Sequence, residues 1–133
     1  MTRTTTRTTP GEGCAERFAP YVEAWCRRFA VQAEEDRRHA EEAWEEARQA
    51  TAFLAEHYGV RRVVLFGSLP AGRFREGSDV DLAVDGLAPE RFFRADGQLA
   101  WNATVPIDLK LFSDCPPSLL ERIEREGVVL HER

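Results

Sequence analysis

The stretch VVLFGSLPAGRFREGSDVDLAV, from Val63 to Val84, holds an apolar run, a stop at Gly67-Ser68, a loop of small and basic residues, and a second apolar run carrying two carboxylates. Side chains alternate faces along a strand, so Asp79 and Asp81 are expected to point one way and Val80 and Leu82 the other. Adjacent carboxylates repel unless a cation or a shared proton relieves them. Such oxygen ligands suit Mg²⁺, which takes one or two protein carboxylates and shares the remainder with phosphates and water. Gly67-Ser68 ends the first run and is expected to open a helix. There a glycine allows close backbone approach, and free amides bind phosphate oxygens. Ser68 adds a hydroxyl donor. The pair is not a Walker loop, because no Gly-Lys-Ser/Thr ending follows, and it lacks the spaced glycines of a dinucleotide fold.

A third carboxylate follows downstream. Val105 to Phe112, VPIDLKLF, reads as a strand in which Asp108 stands between Ile107 and Leu109. Taken alone, Asp108 fits an exposed alternating strand as well as a buried site; beside Asp79 and Asp81 it reads as part of one site. Lys110 shares its face and can balance charge or reach a phosphate. The three acids together describe two-metal chemistry. Asp79 and Asp81 would hold Mg²⁺ against a triphosphate. Asp108 would complete a second metal position and draw the proton from an attacking hydroxyl, with the ions ~3.5–4 Å apart across an in-line displacement.

Outward from this stretch the pattern alternates. Arg61 to Phe66 and Asp79 to Val84 read as strands, Pro89 to Trp101 as a helix, and Val105 to Phe112 as a third strand. Pro116 to Glu126 reads as a short helix stopped by Gly127, with Val128-Val129-Leu130 as an edge strand. The expected fold class is α/β (α+β): a small mixed sheet with helices packed on one face.

Upstream, residues 1–13 are nearly all Thr, Arg, Gly and Pro and read as a disordered tail; 14–58 form a helical extension and 59–133 the catalytic domain. Tyr21 to Tyr58 holds no Gly or Pro, Pro20 suits a first turn and Gly59 a stop. A continuous helix over this span would measure about 57 Å at ~1.5 Å per residue, too long for one face of a small core. Phe53, Leu54 and Tyr58 mark the end expected to pack on the core. The earlier half, with Trp25 and Phe29, is expected to break off or project and to need a cover, either a second copy in a homodimer or another protein. A helical hairpin is the alternative, although nothing between Arg28 and Glu41 is an obvious turn.

Composition sets the outer limits. The 133 residues are 31% charged and 43% hydrophobic, ordinary for one soluble domain. The net charge of -5 argues against a general nucleic-acid binder. Cys14, Cys26 and Cys115 show neither a disulfide framework nor zinc-ligand spacing. No apolar run reaches the ~18 residues of a membrane span, and no secretion signal is visible, so a cytoplasmic protein is expected.

Gly67-Ser68, Gly72 and Ser78-Asp79-Val80-Asp81-Leu82, with Asp108 downstream, resemble the signature of the DNA polymerase beta-like nucleotidyltransferase superfamily, and within it the minimal nucleotidyltransferase (MNT) branch. The resemblance covers about residues 59–133 and implies a nucleotidyltransferase core. It also implies ATP as donor, Mg²⁺ as cofactor (two ions), and transfer of AMP to a hydroxyl with release of pyrophosphate. Residue by residue, it implies that Gly67 and Ser68 bind phosphate, that Asp79 and Asp81 bind metal, and that Asp108 is the third carboxylate. Many relatives have Arg after the Gly-Ser, where this chain has Leu69-Pro70; Arg73, Arg75 or Lys110 are the candidates to take that part. Small MNT proteins are similar to antitoxins that adenylylate a tyrosine on a HEPN-domain RNase toxin. This chain has no Arg-x₄-His of the HEPN type, so the implied partner is a separate toxin. Two alternatives stand beside this one: a non-catalytic protein that masks its partner by binding, and an adenylyltransferase acting on an antibiotic-type small molecule.

Overall fold

A computed structural model describes residues 11–133, with side chains from Tyr21 onward. The elements run α1 (Gly11–Tyr58), β1 (Arg62–Phe66), β2 (Val80–Asp85), α2 (Pro89–Asn102), β3 (Ile107–Leu111), a 3₁₀ turn (Phe112–Asp114), α3 (Pro117–Glu126) and β4 (Val128–Glu132). The chain divides into two units, one ending at Glu35 and one beginning at Asp36.

In the first unit the described residues are all part of α1. Tyr21, Trp25 and Phe29 are 74%, 57% and 57% exposed, and the Trp25 and Phe29 rings meet edge-on at 4.3 Å. Of the expected tail, residues 1–10 lie outside the described residues. Residues 11–13 belong to α1, which starts ahead of Pro20 rather than at it. Ala15, Glu16 and Arg17 are good helix formers and carry the helix past Pro20, where a proline costs one hydrogen bond and crowds the carbonyl four residues before it. The helix has no break between Arg28 and Glu41.

In the second unit a four-stranded sheet has the order β3-β2-β1-β4. β1 is antiparallel to both β2 and β4, whereas β2 and β3 are parallel. A parallel pair needs a crossover, and α2 supplies it. Alternation along the strands then builds two layers. Val63 and Leu65 of β1, Val80, Leu82 and Val84 of β2, and Leu109 and Leu111 of β3 join the larger core cluster. That cluster also takes Ala43, Ala47, Ala50 and Leu54 of α1 and Ala95 and Leu99 of α2. Val64, Phe66 and Ala83 face the other way and meet Ile123 of α3 in a smaller cluster. Thus α1 and α2 cover one face, and α3 adds a lesser layer on the other. Each fully buried Leu or Ile contributes roughly 1.5–3 kcal/mol through burial.

The core half of α1 is also tied by polar groups. Glu46, 8% exposed, accepts from the Thr104 amide at 3.0 Å and from its hydroxyl at 2.7 Å. These bonds offset the cost of burying a carboxylate. Tyr58 donates to Gln98 Oε1 of α2 at 2.5 Å. Among the described residues, no helix is long and apolar enough to cross a membrane.

Candidate active site

The pairing of β1, β2 and β3 arranges side chains in rows across the sheet face that α1 and α2 leave free. Phe66, Asp81 and Asp108 form one row, and Val64, Ala83 and Lys110 the next. Asp81 and Asp108 are therefore cross-strand neighbours, on strands about 4.8 Å apart. Both are half-buried. The Lys110 ammonium donates to Asp108 Oδ2 at 2.5 Å. That bond, with the negative charge behind it, raises the Lys110 pKa against the opposing effect of burial. Burial first, and then the charge of Asp108, push the Asp81 carboxyl from an ordinary 3.8 up to about 6; Lys110 opposes the rise and Asp79 adds to it. The pair is a site of concentrated negative charge that one lysine relieves in part.

Gly67 sits directly against this pair. Its φ of 86° lies in the left-handed region. A Cβ placed there would fall on Asp81 Oδ2 and come within 3.1 Å of its Cγ. Glycine is thus required for backbone conformation and for room beside the carboxylate.

Beyond Gly67 the chain does not open a helix, which corrects the sequence-based expectation. Residues 67–72 are turns. The Gly72 amide donates to Leu69 O at 3.2 Å, and the Arg73 amide to Ser68 O at 2.9 Å. Pro70 and Gly72 occupy the second and fourth positions of the Leu69–Gly72 turn, where each is favoured. Leu69 and Phe74, 3% and 6% exposed, anchor the loop in the core, and a helix continuing from Ser68 would not place them so. Phosphate binding by a row of helix-start amides is therefore not on offer. The Ser68 hydroxyl has no protein partner among the described residues and faces no competition for a ligand.

Asp79 is exposed and stands one residue before β2, which begins at Val80. Its position is set by Ser78, whose amide donates to Arg75 O at 2.9 Å and whose Oγ accepts from the Arg75 amide at 3.1 Å. This role of Ser78, and the anchoring by Leu69 and Phe74, went unread in the sequence; the apolar side chains flanking a Gly- and Arg-rich loop were the available signal. Arg73 and Arg75 are exposed on the same loop, and among the described residues neither forms an ion pair. Asp81, Asp108 and Lys110 are brought together by the sheet; Arg73 and Arg75 are not held to them by any contact.

By donor type, Asp79, Asp81 and Asp108 fit a hard divalent cation, which would offset both the burial that chiefly raises the Asp81 pKa and the Asp108 charge that adds to it. Their side chains do not converge on one point: among the described residues no three His, Cys, Asp or Glu side chains form a metal-holding group. The cation against Asp108 is the Lys110 ammonium.

The family described as "Polymerase beta, Nucleotidyltransferase" matches residues 48–133. No curated protein matches the chain. Among solved structures, the chain is similar to a toxin-antitoxin with AMP-PNP at TM-score 0.56 and 22% identity, over 65% of this chain and 73% of that one. It is similar also to the toxin-antitoxin MntA-HepT at TM-score 0.52 and 19% identity, over 68% of this chain and 73% of that one. At these identities the likeness is one of fold.

Proposed function

The chain belongs to the polymerase beta nucleotidyltransferase family, and we propose that it transfers AMP from ATP to a tyrosine hydroxyl of a HEPN-type RNase toxin, acting as its antitoxin. The observation that carries the chemistry is the row Asp81–Asp108 with Gly67 packed beneath Asp81. The fold likeness to toxin-antitoxin structures, one of them with AMP-PNP, supports the partner and the donor.

In the proposed reaction the acceptor oxygen attacks the α-phosphorus, the bond to the β-phosphate oxygen breaks, and pyrophosphate leaves. Asp108 takes the proton from the acceptor hydroxyl. Ser68 donates to a phosphate oxygen in the space that Gly67 leaves open. Lys110 faces the same row and neutralises charge, and Arg73 and Arg75 are free to follow the triphosphate. Asp79, Asp81 and Asp108 would hold Mg²⁺, which when bound supplies positive charge to the phosphate oxygens. Most of the acceleration in such a site comes from positioning and charge neutralisation.

A second reading, an antitoxin that masks its partner without chemistry, is favoured by one observation: the exposed Tyr21, Trp25 and Phe29 offer a surface for a second copy or a toxin, whatever the carboxylates do. The two readings separate on one experiment. The protein is incubated with labelled ATP, Mg²⁺ and the product of the adjacent gene, and label on that product is followed. Transfer predicts labelling that disappears in Asp79→Ala and Asp81→Ala. Labelling that survives both substitutions sinks the assignment of the site. Neutralisation that persists in them without labelling selects masking.

A further inference from the structure

A cavity of about 240 Å³ opens at the outer edge of β3. Leu109, Phe92 of α2 and Leu119 of α3 form its apolar walls, and Lys110 and Asp114 are its charged groups. Cys115 also lines it, but its thiol already donates to Leu111 O at 3.2 Å and serves as wall. Asp114 ends the 3₁₀ turn that directly follows β3, and that turn is closed by the Cys115 amide donating to Phe112 O at 3.2 Å. Its carboxylate is exposed and has no hydrogen-bond or ion-pair partner among the described residues. Lys110 belongs to both places, since it lines this cavity and donates to Asp108.

We infer that this cavity receives the base of the donor nucleotide and that Asp114 selects adenine. The inference rests on the nucleotidyl-transfer reading above and adds the group that reads the donor. A nucleobase is flat, with apolar faces and polar edges, and fits apolar walls that carry few polar groups. An Asp carboxylate accepts hydrogen bonds and does not donate them. Adenine presents an amino donor at ring position 6, where guanine and hypoxanthine present a carbonyl acceptor. A carboxylate that meets that position from the N7 side, away from the N1–H of guanine and hypoxanthine, bonds to the first and repels the others. The sharing of Lys110 places the base beside the row that handles the phosphates.

The test is equilibrium binding of ATP and of inosine triphosphate, which differ at ring position 6, to the full chain with Mg²⁺. Binding of ATP at least tenfold tighter is expected, as for one hydrogen bond to a charged group. Asp114→Asn, whose amide can turn a donor toward a carbonyl, is expected to bring the two within about threefold. Leu119→Trp, which fills the cavity, is expected to weaken both about tenfold with the thermal melting point held close to that of the unaltered protein. Equal affinities in the unaltered protein, or a ratio that Asp114→Asn leaves in place, overturn the inference while ATP binding itself upholds the wider reading. A Leu119→Trp protein that binds nucleotide normally but needs more acceptor protein for transfer assigns the cavity to the acceptor, and also overturns it. Binding of neither nucleotide removes the transfer reading and this inference with it.

Discussion

The two faces of one sheet are built from alternate residues of the same three strands, and they are put to opposite uses. Toward α1 and α2, Leu65, Val80, Leu82 and Leu109 are closed into an apolar layer. One residue along, Asp81, Asp108 and Lys110 face the other way, where α3 covers Val64, Phe66 and Ala83 and the acidic row stays half-buried. The closed face supplies stability and the other face stores electrostatic repulsion. Buried strands on one side make it possible to hold like charges together on the other, because the carboxylates cannot move apart without breaking the ladder.

The comparison is sharpest where a substitution on one face leaves the other alone. Asp81→Ala is expected to lower the proposed AMP transfer about a thousandfold, on the scale of losing a group that positions or neutralises charge in a transition state, with the circular dichroism spectrum unchanged. Leu82→Ala, its immediate neighbour, should cost about 2–5 kcal/mol in urea unfolding, as expected for a buried leucine replaced by alanine. Gly67→Ala should act on both: the positive φ costs on the order of 1–3 kcal/mol, and the added methyl displaces the Asp81 carboxylate, so activity falls out of proportion to the modest loss of stability.

Smaller effects come from charge alone. The folded-state pKa of Asp81, about 6, lies above its ordinary 3.8, so the folded state binds the proton more tightly than the unfolded one. Its contribution is therefore most favourable below 3.8 and is lost as pH rises through about 6. Asp81→Asn should accordingly raise the melting point of the metal-free protein at pH 8 and leave it nearly unchanged at pH 3.5, the reverse of an ordinary salt-bridged aspartate. An equal shift at both pH values would show that the two faces do not differ in this way. Least of all, Arg73→Ala should change stability by no more than about 0.5 kcal/mol, since its side chain is exposed and unpaired among the described residues. A measurable change in nucleotide affinity with no change in melting point would connect Arg73 to the phosphates.

Much of this was legible in residue order. Alternation placed β1, β2 and β3 within one or two residues of their observed ends, and Gly127 marked the stop of α3. Asp108 stood out because an acid inside an apolar strand demands an explanation. The core-packed end of α1 was visible in Leu54 and Tyr58, which are buried. Other features were hidden because they depend on contacts distant in sequence. A helix at Ser68 was a reasonable local expectation, and the burial of Leu69 and Phe74 overrode it. Asp114 carried no motif, because its interest comes only from the cavity that Phe92 and Leu119 close around the end of β3.

The sequence by itself determined most of the elements and the family and marked Asp79, Asp81 and Asp108 as candidates, since periodicity and motif spacing are local properties of a chain. Only the tertiary structure decided that Asp81 and Asp108 are opposite one another, that Lys110 rather than Arg73 or Arg75 reaches Asp108, and that Gly67 lies against a carboxylate. Strand register and the packing of a loop against a core join residues far apart in the chain. They are set by the burial of the sheet's apolar face, which is a property of the folded whole.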